Sequence, residues 1–300
     1  MKKKTYLFAL MAMVLTLGSC SDNENGIGGE TSKYITVSTS IGNMTRVATD
    51  EKGGQTFEEG DEISVYAWTG APTVAPETSE RVVNNAINKL TNGSWISTPQ
   101  MLWKNNREKH YFIGVYPTAA ISDLSAGEYT FDANKQTESD LLVAVNPDGL
   151  SYSADAQQTV PLIFTHVMAK LAVKLTYKNQ WGGIPTVEKV VVGNAAKEAT
   201  INYLTKVVTP STTAKEDFSL PEITENTKYV SVIIPQEEVK QLTIVIGGKN
   251  FVYDNGTPFK LESGKITTVN LEVGRDEIKL GDVKITDWEN GSTFSGEALN

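Results

Sequence analysis

The side chains that most often act as acids, bases or nucleophiles are few and scattered in this sequence. His110 follows the charged run Arg107-Glu108-Lys109, which predicts a solvated loop residue, and His166 lies in an apolar run, which favours a hydrogen-bonded structural histidine. Glu58-Glu59 and Glu237-Glu238 are neighbours in sequence, whereas acid–base catalysis needs two carboxylates that face each other across a cleft. No nucleophile elbow, phosphate-binding loop or zinc-protease motif occurs. We therefore predict no catalytic residue, no cofactor and no enzyme activity.

Composition argues against a metal site and against nucleic acid as a partner. The 300 residues include one cysteine and two histidines, too few for a multi-cysteine zinc or iron–sulfur site. The 36 acidic and 27 basic residues give a net charge of −9, whereas phosphate binding requires a basic face. Hydrophobic residues make up 40% of the chain, which is typical of a globular protein whose length suits two domains.

The single cysteine stands at the end of an export signal. Lys2, Lys3 and Lys4 precede about 13 mostly apolar residues, a run too short to span a membrane as a helix. Leu17-Gly18-Ser19-Cys20 then resembles the lipobox of bacterial lipoproteins. We predict a lipoprotein signal peptide at 1–19 and acylation of Cys20, whose acyl chains, palmitate among them, would anchor the protein on the outer membrane. Cleavage removes three lysines and no acidic residue, leaving a net charge of −12.

Residues 20–33 form an acidic, glycine-containing tether. Ser21-Asp22-Asn23-Glu24-Asn25 follows the cysteine directly. This run resembles the short acidic signals that send some lipoproteins to the cell surface, and it also fits a plain flexible linker.

From residue 34 onward, the pattern predicts short strands separated by turns. Residues 34–41 alternate between apolar and hydroxyl side chains, and residues 63–68 are rich in β-branched and aromatic side chains. Asn92-Gly93 predicts a two-residue hairpin turn, so we prefer a strand to a helix for the apolar residues just before it. Asn146-Pro147-Asp148-Gly149 predicts a turn by composition.

The succession of strands predicts an all-β protein of two tandem β-sandwich domains. We place the N-terminal sandwich at 34–158 and the C-terminal sandwich, with its terminal strands, at 159–300. Near the C-terminus, the apolar side chains keep a period of two that shifts at Gly281-Asp282, as a turn or bulge would produce. These candidate assembly or anchor residues, which either complete the chain's own second domain or enter a neighbouring subunit, are Ile278, Leu280, Val283, Ile285 and Trp288.

Several motifs, in order along the chain, resemble the fimbrillin family of type V pilin lipoproteins, the subunits of surface fimbriae in Gram-negative anaerobes. They are the lipobox, Met44-Thr45-Arg46-Val47-Ala48, the segments 57–63, 111–117, 140–144 and 162–171, Trp103, and Val283-Lys284-Ile285-Thr286-Asp287-Trp288. The resemblance implies two transthyretin-like β-sandwich domains and a structural, adhesive subunit of a pilus. The implied partners are other subunits in a homo- or hetero-polymer and a ligand on a host or bacterial surface.

The resemblance also implies assembly by strand exchange. In the family, a trypsin-like protease cuts after an arginine behind the first strand and so opens a groove for a strand of another subunit. Arg46 and Val47 lie at the matching place. They are the predicted maturation site, and the protease is a further predicted partner.

An alternative function is a monomeric surface lipoprotein that binds glycans. The chain has five tryptophans, and exposed indole rings can stack on sugar rings. The state of the mature protein distinguishes the two functions. An N-terminus at Val47 and SDS-resistant ladders favour the pilin, whereas an acylated Cys20 on a monomeric, sugar-binding protein favours the glycan binder.

Overall fold

The described part of the chain folds almost entirely into β-strands, which confirms the predicted fold class. A computed structural model describes residues 33–42, 56–136, 138–153 and 158–288. Within these ranges, the helical elements are two short 3-10 helices, Thr78–Glu80 and Asn179–Trp181, and no helix is long and apolar enough to cross a membrane. The predicted signal peptide and all of the predicted tether except Lys33 lie outside the described residues.

The strands of the described residues are numbered in chain order. They are β1 (Thr36–Ile41), β2 (Glu62–Thr69), β3 (Val83–Thr91), β4 (Ser94–Thr98), β5 (His110–Tyr116), β6 (Gly127–Thr130), β7 (Leu142–Leu150), β8 (Thr159–His166), β9 (Ala169–Tyr177), β10 (Val187–Ala196), β11 (Glu198–Asn202), β12 (Val207–Pro210), β13 (Lys215–Ser219), β14 (Glu222–Thr224), β15 (Lys228–Ile233), β16 (Gln241–Ile246), β17 (Lys249–Asp254), β18 (Lys265–Val273) and β19 (Ile278–Asp287).

These strands form four sheets. The largest has the order β1-β8-β7-β5-β2-β3-β4, and a smaller one has the order β12-β11-β6. The other two have the orders β14-β15-β9-β18-β19 and β13-β10-β16-β17. Leu171 and Val269 from the first of these two sheets, and Val190 and Ile244 from the second, belong to one buried apolar cluster. These two sheets therefore pack face to face as a sandwich.

Both faces of the seven-stranded sheet are covered. On β2, Val65 and Ala67 belong to one apolar cluster, whereas Tyr66 and Trp68 belong to another. Successive side chains on a strand point to opposite faces of the sheet. Coverage on both sides therefore explains why Ile63-Ser64-Val65-Tyr66-Ala67-Trp68 is a nearly continuous apolar run rather than an alternating one.

One of the two predicted turns is present in the structure, and the other is not. Asn92 (φ 51°) and Gly93 (φ 73°) connect β3 to β4 in the predicted hairpin, so the strand preferred over a helix is confirmed. Residues 146–149, however, do not end their strand, because β7 continues to Leu150. Gly149 (φ 63°) donates its N–H to Asn146 Oδ1 at 2.9 Å inside an irregularity of the β5–β7 register. The residues that form a turn elsewhere form a bulge here.

Strand pairing runs across the predicted domain boundary at residue 158. β8 follows that boundary yet pairs with β1 and β7, and β6 precedes it yet pairs with β11. The division into 34–158 and 159–300 stays a prediction.

Candidate functional site

The first strand closes the seven-stranded sheet upon itself. β1 lies at one edge of that sheet and β4 at the other. Trp95 Nε1 of β4 nevertheless donates a hydrogen bond to Thr39 Oγ1 of β1 at 3.0 Å. The sheet is therefore curled so that its two edge strands, β1 and β4, come into contact.

On one side, β1 pairs in parallel with β8. The register runs from Thr36 opposite Thr159 to Ile41 opposite Phe164. The Gly42 N–H extends this pairing by donating to Phe164 O at 2.8 Å. A parallel neighbour more than a hundred residues away in sequence gives no local pattern, so this contact could not be predicted from the sequence.

On the other side, the start of β1 is bound to residues 101–103. Ile35 N donates to Met101 O at 3.0 Å, and Trp103 N donates to Lys33 O at 3.2 Å. Tyr34 and Leu102 form an isolated bridge between these two hydrogen bonds. The segment around β1 therefore has backbone partners along both of its edges.

The inner face of β1 covers an apolar core. Ile35, directly before β1, and Val37 and Ile41 of β1 are 3%, 6% and 7% exposed and pack in one cluster. Burial of three such side chains stabilises the docked strand by roughly 5–9 kcal/mol in transfer free energy. Without β1, the remaining members of the cluster would lose this cover; they include Met101, Trp103, Val160, Leu162 and Phe164. We call β1 and this set of contacts the first-strand site.

Two of the predicted site residues near β1 have no described structure. Arg46 and Val47 lie outside the described residues, as does Cys20. The described chain stops at Gly42, four residues before Arg46, and begins again at residue 56. The predicted maturation site is therefore placed only by its distance along the chain from β1.

The candidate assembly residues near the C-terminus lie on or directly after β19. β19 is one strand that pairs antiparallel with β18, and its register shifts between the pairs Val269–Val283 and Leu271–Leu280. Of the two alternatives for the change of phase, a turn between two strands or a bulge, Gly281 and Asp282 therefore form a bulge within one strand. Leu280, Val283 and Ile285 are 37%, 39% and 39% exposed, so the apolar row of β19 is only partly covered.

Trp288, directly after β19, is much better buried. It is 9% exposed, and its backbone N–H donates to Gly264 O at 2.9 Å. The indole ring stacks on His166, with 3.9 Å between ring centroids and 9° between planes. Lys170 Nζ lies 4.0 Å from the centroid of the same indole, within range of a cation–π interaction. His166 Nδ1 lies 2.8 Å from Asp140 Oδ1. We call these four side chains the Trp288 clamp.

The electrostatics of the clamp follow from its burial. Burial lowers the pKa of Lys170, and the nearby Asp140 carboxylate opposes that shift. The predicted structural role of His166, held by hydrogen bonding, agrees with its 7% exposure and its contact with Asp140. The stack itself could not be predicted, because more than a hundred residues separate His166 from Trp288.

His110 is not the solvated loop residue that its neighbours suggest. It is the first residue of β5 and is fully buried, with Nε2 accepting a hydrogen bond from Lys104 N at 3.0 Å. Burial lowers the pKa of His110. The charged residues 107–109 lie in the turn before β5, and the change from turn to buried strand occurs within one residue.

The acidic residues have structural partners. Asp61 Oδ2 accepts from Glu58 N at 2.7 Å, and Glu59 Oε1 accepts from Asn92 N at 2.8 Å. Glu62 pairs with Lys89. In the described ranges, no group of three or more histidine, cysteine or acidic side chains could hold a metal ion. The acidic cluster therefore stabilises the turn before β2 and the β3–β4 hairpin.

None of the five tryptophans is exposed. Trp68, Trp103 and Trp288 are buried, and Trp95 and Trp181 are partly buried. An indole ring that stacks on a sugar must present a face to solvent. Trp68, Trp103 and Trp288 therefore offer no ring face to a sugar, and Trp95 and Trp181 expose only part of their side chains.

The described residues define a class of protein: a multi-sheet β protein with a closing first strand and a clamped last strand. A family model described as fimbrillin-like matches residues 45–288, and the chain belongs to this family. The comparison with curated protein sequences found no match.

Solved structures show the same fold. One is a putative cell adhesion protein from Bacteroides ovatus, 18% identical, with a TM-score of 0.61 over 85% of this chain and 98% of that one. A second, from Bacteroides uniformis, is 17% identical, with a TM-score of 0.60 over 86% and 100% of the two chains. A fimbrial protein from Bacteroides vulgatus is 13% identical, with a TM-score of 0.52 over 84% and 99%.

Proposed function

We propose that this chain is a structural and adhesive subunit of a surface fimbria, exported as a lipoprotein and assembled by strand exchange. Membership of the fimbrillin-like family and the fold shared with cell adhesion and fimbrial proteins support a fimbrial subunit. Its partners are then other fimbrial subunits, at the cell surface and on the fimbrium, and a ligand on a host or bacterial surface. The glycan-binding alternative has less support, because three of the five tryptophans are buried and the other two are partly buried.

The observation that carries the proposal is the position of β1. It closes the curled sheet and covers the core with three buried side chains, yet Arg46 follows its end by only a few residues. Cleavage after Arg46 would detach β1 from the rest of the chain. The vacated place would then offer β8 backbone groups and an apolar core to a strand of another subunit.

Arg46→Ala tests the maturation step. We expect a folded protein that keeps its N-terminal segment and does not polymerise, because Arg46 follows β1 in sequence and the substitution leaves residues 36–41 unchanged. Lys52→Ala is the matched control, since it removes a basic residue from the same stretch of chain. Subunits of Arg46→Ala that are cleaved and polymerise as the control does would exclude Arg46 from assembly.

Cys20→Ala tests the lipid anchor. The sequence contains no other thiol, so we expect an unlipidated precursor that does not incorporate labelled palmitate. Ser21→Ala should incorporate the label as the unaltered protein does. Labelling of Cys20→Ala would contradict export as a lipoprotein.

A further inference from the structure

β8 touches both the first strand and the clamp at the end of the last strand. Along its edge, β8 pairs with β1, and Phe164 O accepts the Gly42 N–H at 2.8 Å. Two residues later, β8 ends at His166, whose ring stacks on Trp288. The same short strand therefore contributes to the first-strand site and to the Trp288 clamp.

The clamp contains the only buried side chain among residues 278–288. Among the described strands, β19 pairs only with β18, and its apolar row at Leu280, Val283 and Ile285 is more than a third exposed. Trp288 is 9% exposed and contacts both His166 and Lys170. Strands with few buried contacts open at low free-energy cost, so the stability of β19 depends strongly on Trp288.

His166 can serve the clamp only while its ring is correctly oriented. Its Nδ1 contact with Asp140 fixes the side chain, and the β8 backbone fixes the position of the residue. When β1 is docked, the end of β8 has hydrogen-bonded neighbours in β1 and in β7. Loss of β1 would remove one of these neighbours and the apolar cover of Phe164 and Leu162, which share the first-strand core.

We infer that β8 couples the two terminal strands, so that docking of β1 tightens the Trp288 clamp and loss of β1 loosens β19. This inference deepens the proposed function and rests on it for its biological meaning. The last strand would stay in its own sheet until the first strand is removed. Coupling between two sites is reciprocal, so weakening the clamp must also loosen β1.

Hydrogen exchange of the uncleaved chain, residues 20–300, tests this reciprocity. Trp288→Ala removes the clamp, and we expect faster exchange both in β19 and at the amide of Gly42, which donates to Phe164 O of β8. The increase at β1 should be about tenfold, within the usual range of coupling between sites. If Trp288→Ala fails to fold, His166→Gln serves instead, because it removes the stacked ring and keeps a hydrogen-bonding side chain beside Asp140.

Ile278→Ala is the matched control. Ile278 is a partly buried residue of β19 at the end opposite Trp288, so its loss should speed exchange in β19 and leave β1 unchanged. Exchange at β1 that is unchanged in Trp288→Ala, or equally fast in Ile278→Ala, would overturn the inference. The experiment needs neither cleavage nor polymer, so its failure would leave the proposed function standing, and an uncleaved Arg46 would leave the coupling standing.

Discussion

The first and last strands share an alternation of apolar and polar residues but lie in different environments. Both are edge strands with apolar side chains at a period of two. Val37 and Ile41 of β1 are 6% and 7% exposed, whereas Val283 and Ile285 of β19 are each 39% exposed. β1 has backbone partners along both edges of its segment, whereas in the described structure β19 pairs with β18 alone.

The difference lies in what covers each strand. β1 lies where the curled sheet closes, so its apolar face meets a complete core. β19 extends its sheet beyond the sandwich core, and Trp288 holds its end. An alternating pattern thus shows which face of a strand turns inward, and the neighbouring elements determine how much of that face is buried.

Removal of the last strand should give the largest effect. We predict that deletion of residues 277–300 sharply lowers the melting temperature, because β18 loses one of its two strand partners and Trp288 alone contributes roughly 3–5 kcal/mol against truncation to alanine. Deletion of residues 290–300, which leaves β19 and Trp288 in place, is the control. If β19 is instead a donor strand, the longer deletion should give a folded monomer of normal melting temperature that cannot polymerise. A protein that melts and polymerises normally after the longer deletion would contradict both roles.

A pair of isoleucine substitutions compares the two strands directly. Ile41→Ala should lower the free energy of unfolding by about 2–4 kcal/mol, because a nearly buried side chain leaves a cavity. Ile285→Ala should cost about 1 kcal/mol, since much of that side chain already contacts solvent. Denaturant unfolding measures both values. Equal losses of unfolding free energy would show that the apolar side chains of β1 and β19 are buried to the same extent.

The smallest expected effect is a pH dependence of the folding stability that arises from His110 of β5. Burial lowers the pKa of His110 in the folded protein, whereas the unfolded chain has an ordinary histidine pKa of about 6.5. As the pH falls through that value, the unfolded state binds a proton that the folded state does not, so stability falls with decreasing pH. His110→Gln should weaken this dependence between about pH 7 and the folded pKa. An identical dependence in the variant would exclude His110 as its source.

Local chemistry explains which parts of the fold could be predicted. Asn92-Gly93 adopts positive φ at both residues without strain, so its hairpin follows from composition. The bulge at Gly281-Asp282 is visible as a change of phase in the alternation. Asn146 and Gly149 have the same turn preferences, but β7 pairs with the neighbouring strand β5, and this pairing keeps both residues within β7. Composition alone cannot distinguish a turn from a bulge.

Contacts between distant segments could not be predicted. The parallel pairing of β1 with β8 and the stack of His166 on Trp288 each join residues more than a hundred positions apart. Neither contact leaves a periodic signal, because each depends on how the sheets are arranged. The sequence therefore predicts the strands of the candidate site, whereas their connection through β8 is known only from the structure.

The N-terminus of the protein on intact fimbriae tests the central claim most directly. Assembly by strand exchange after cleavage predicts that polymerised subunits begin at Val47 and form ladders that resist SDS. A persistently monomeric surface protein that still begins at an acylated Cys20 would contradict that account.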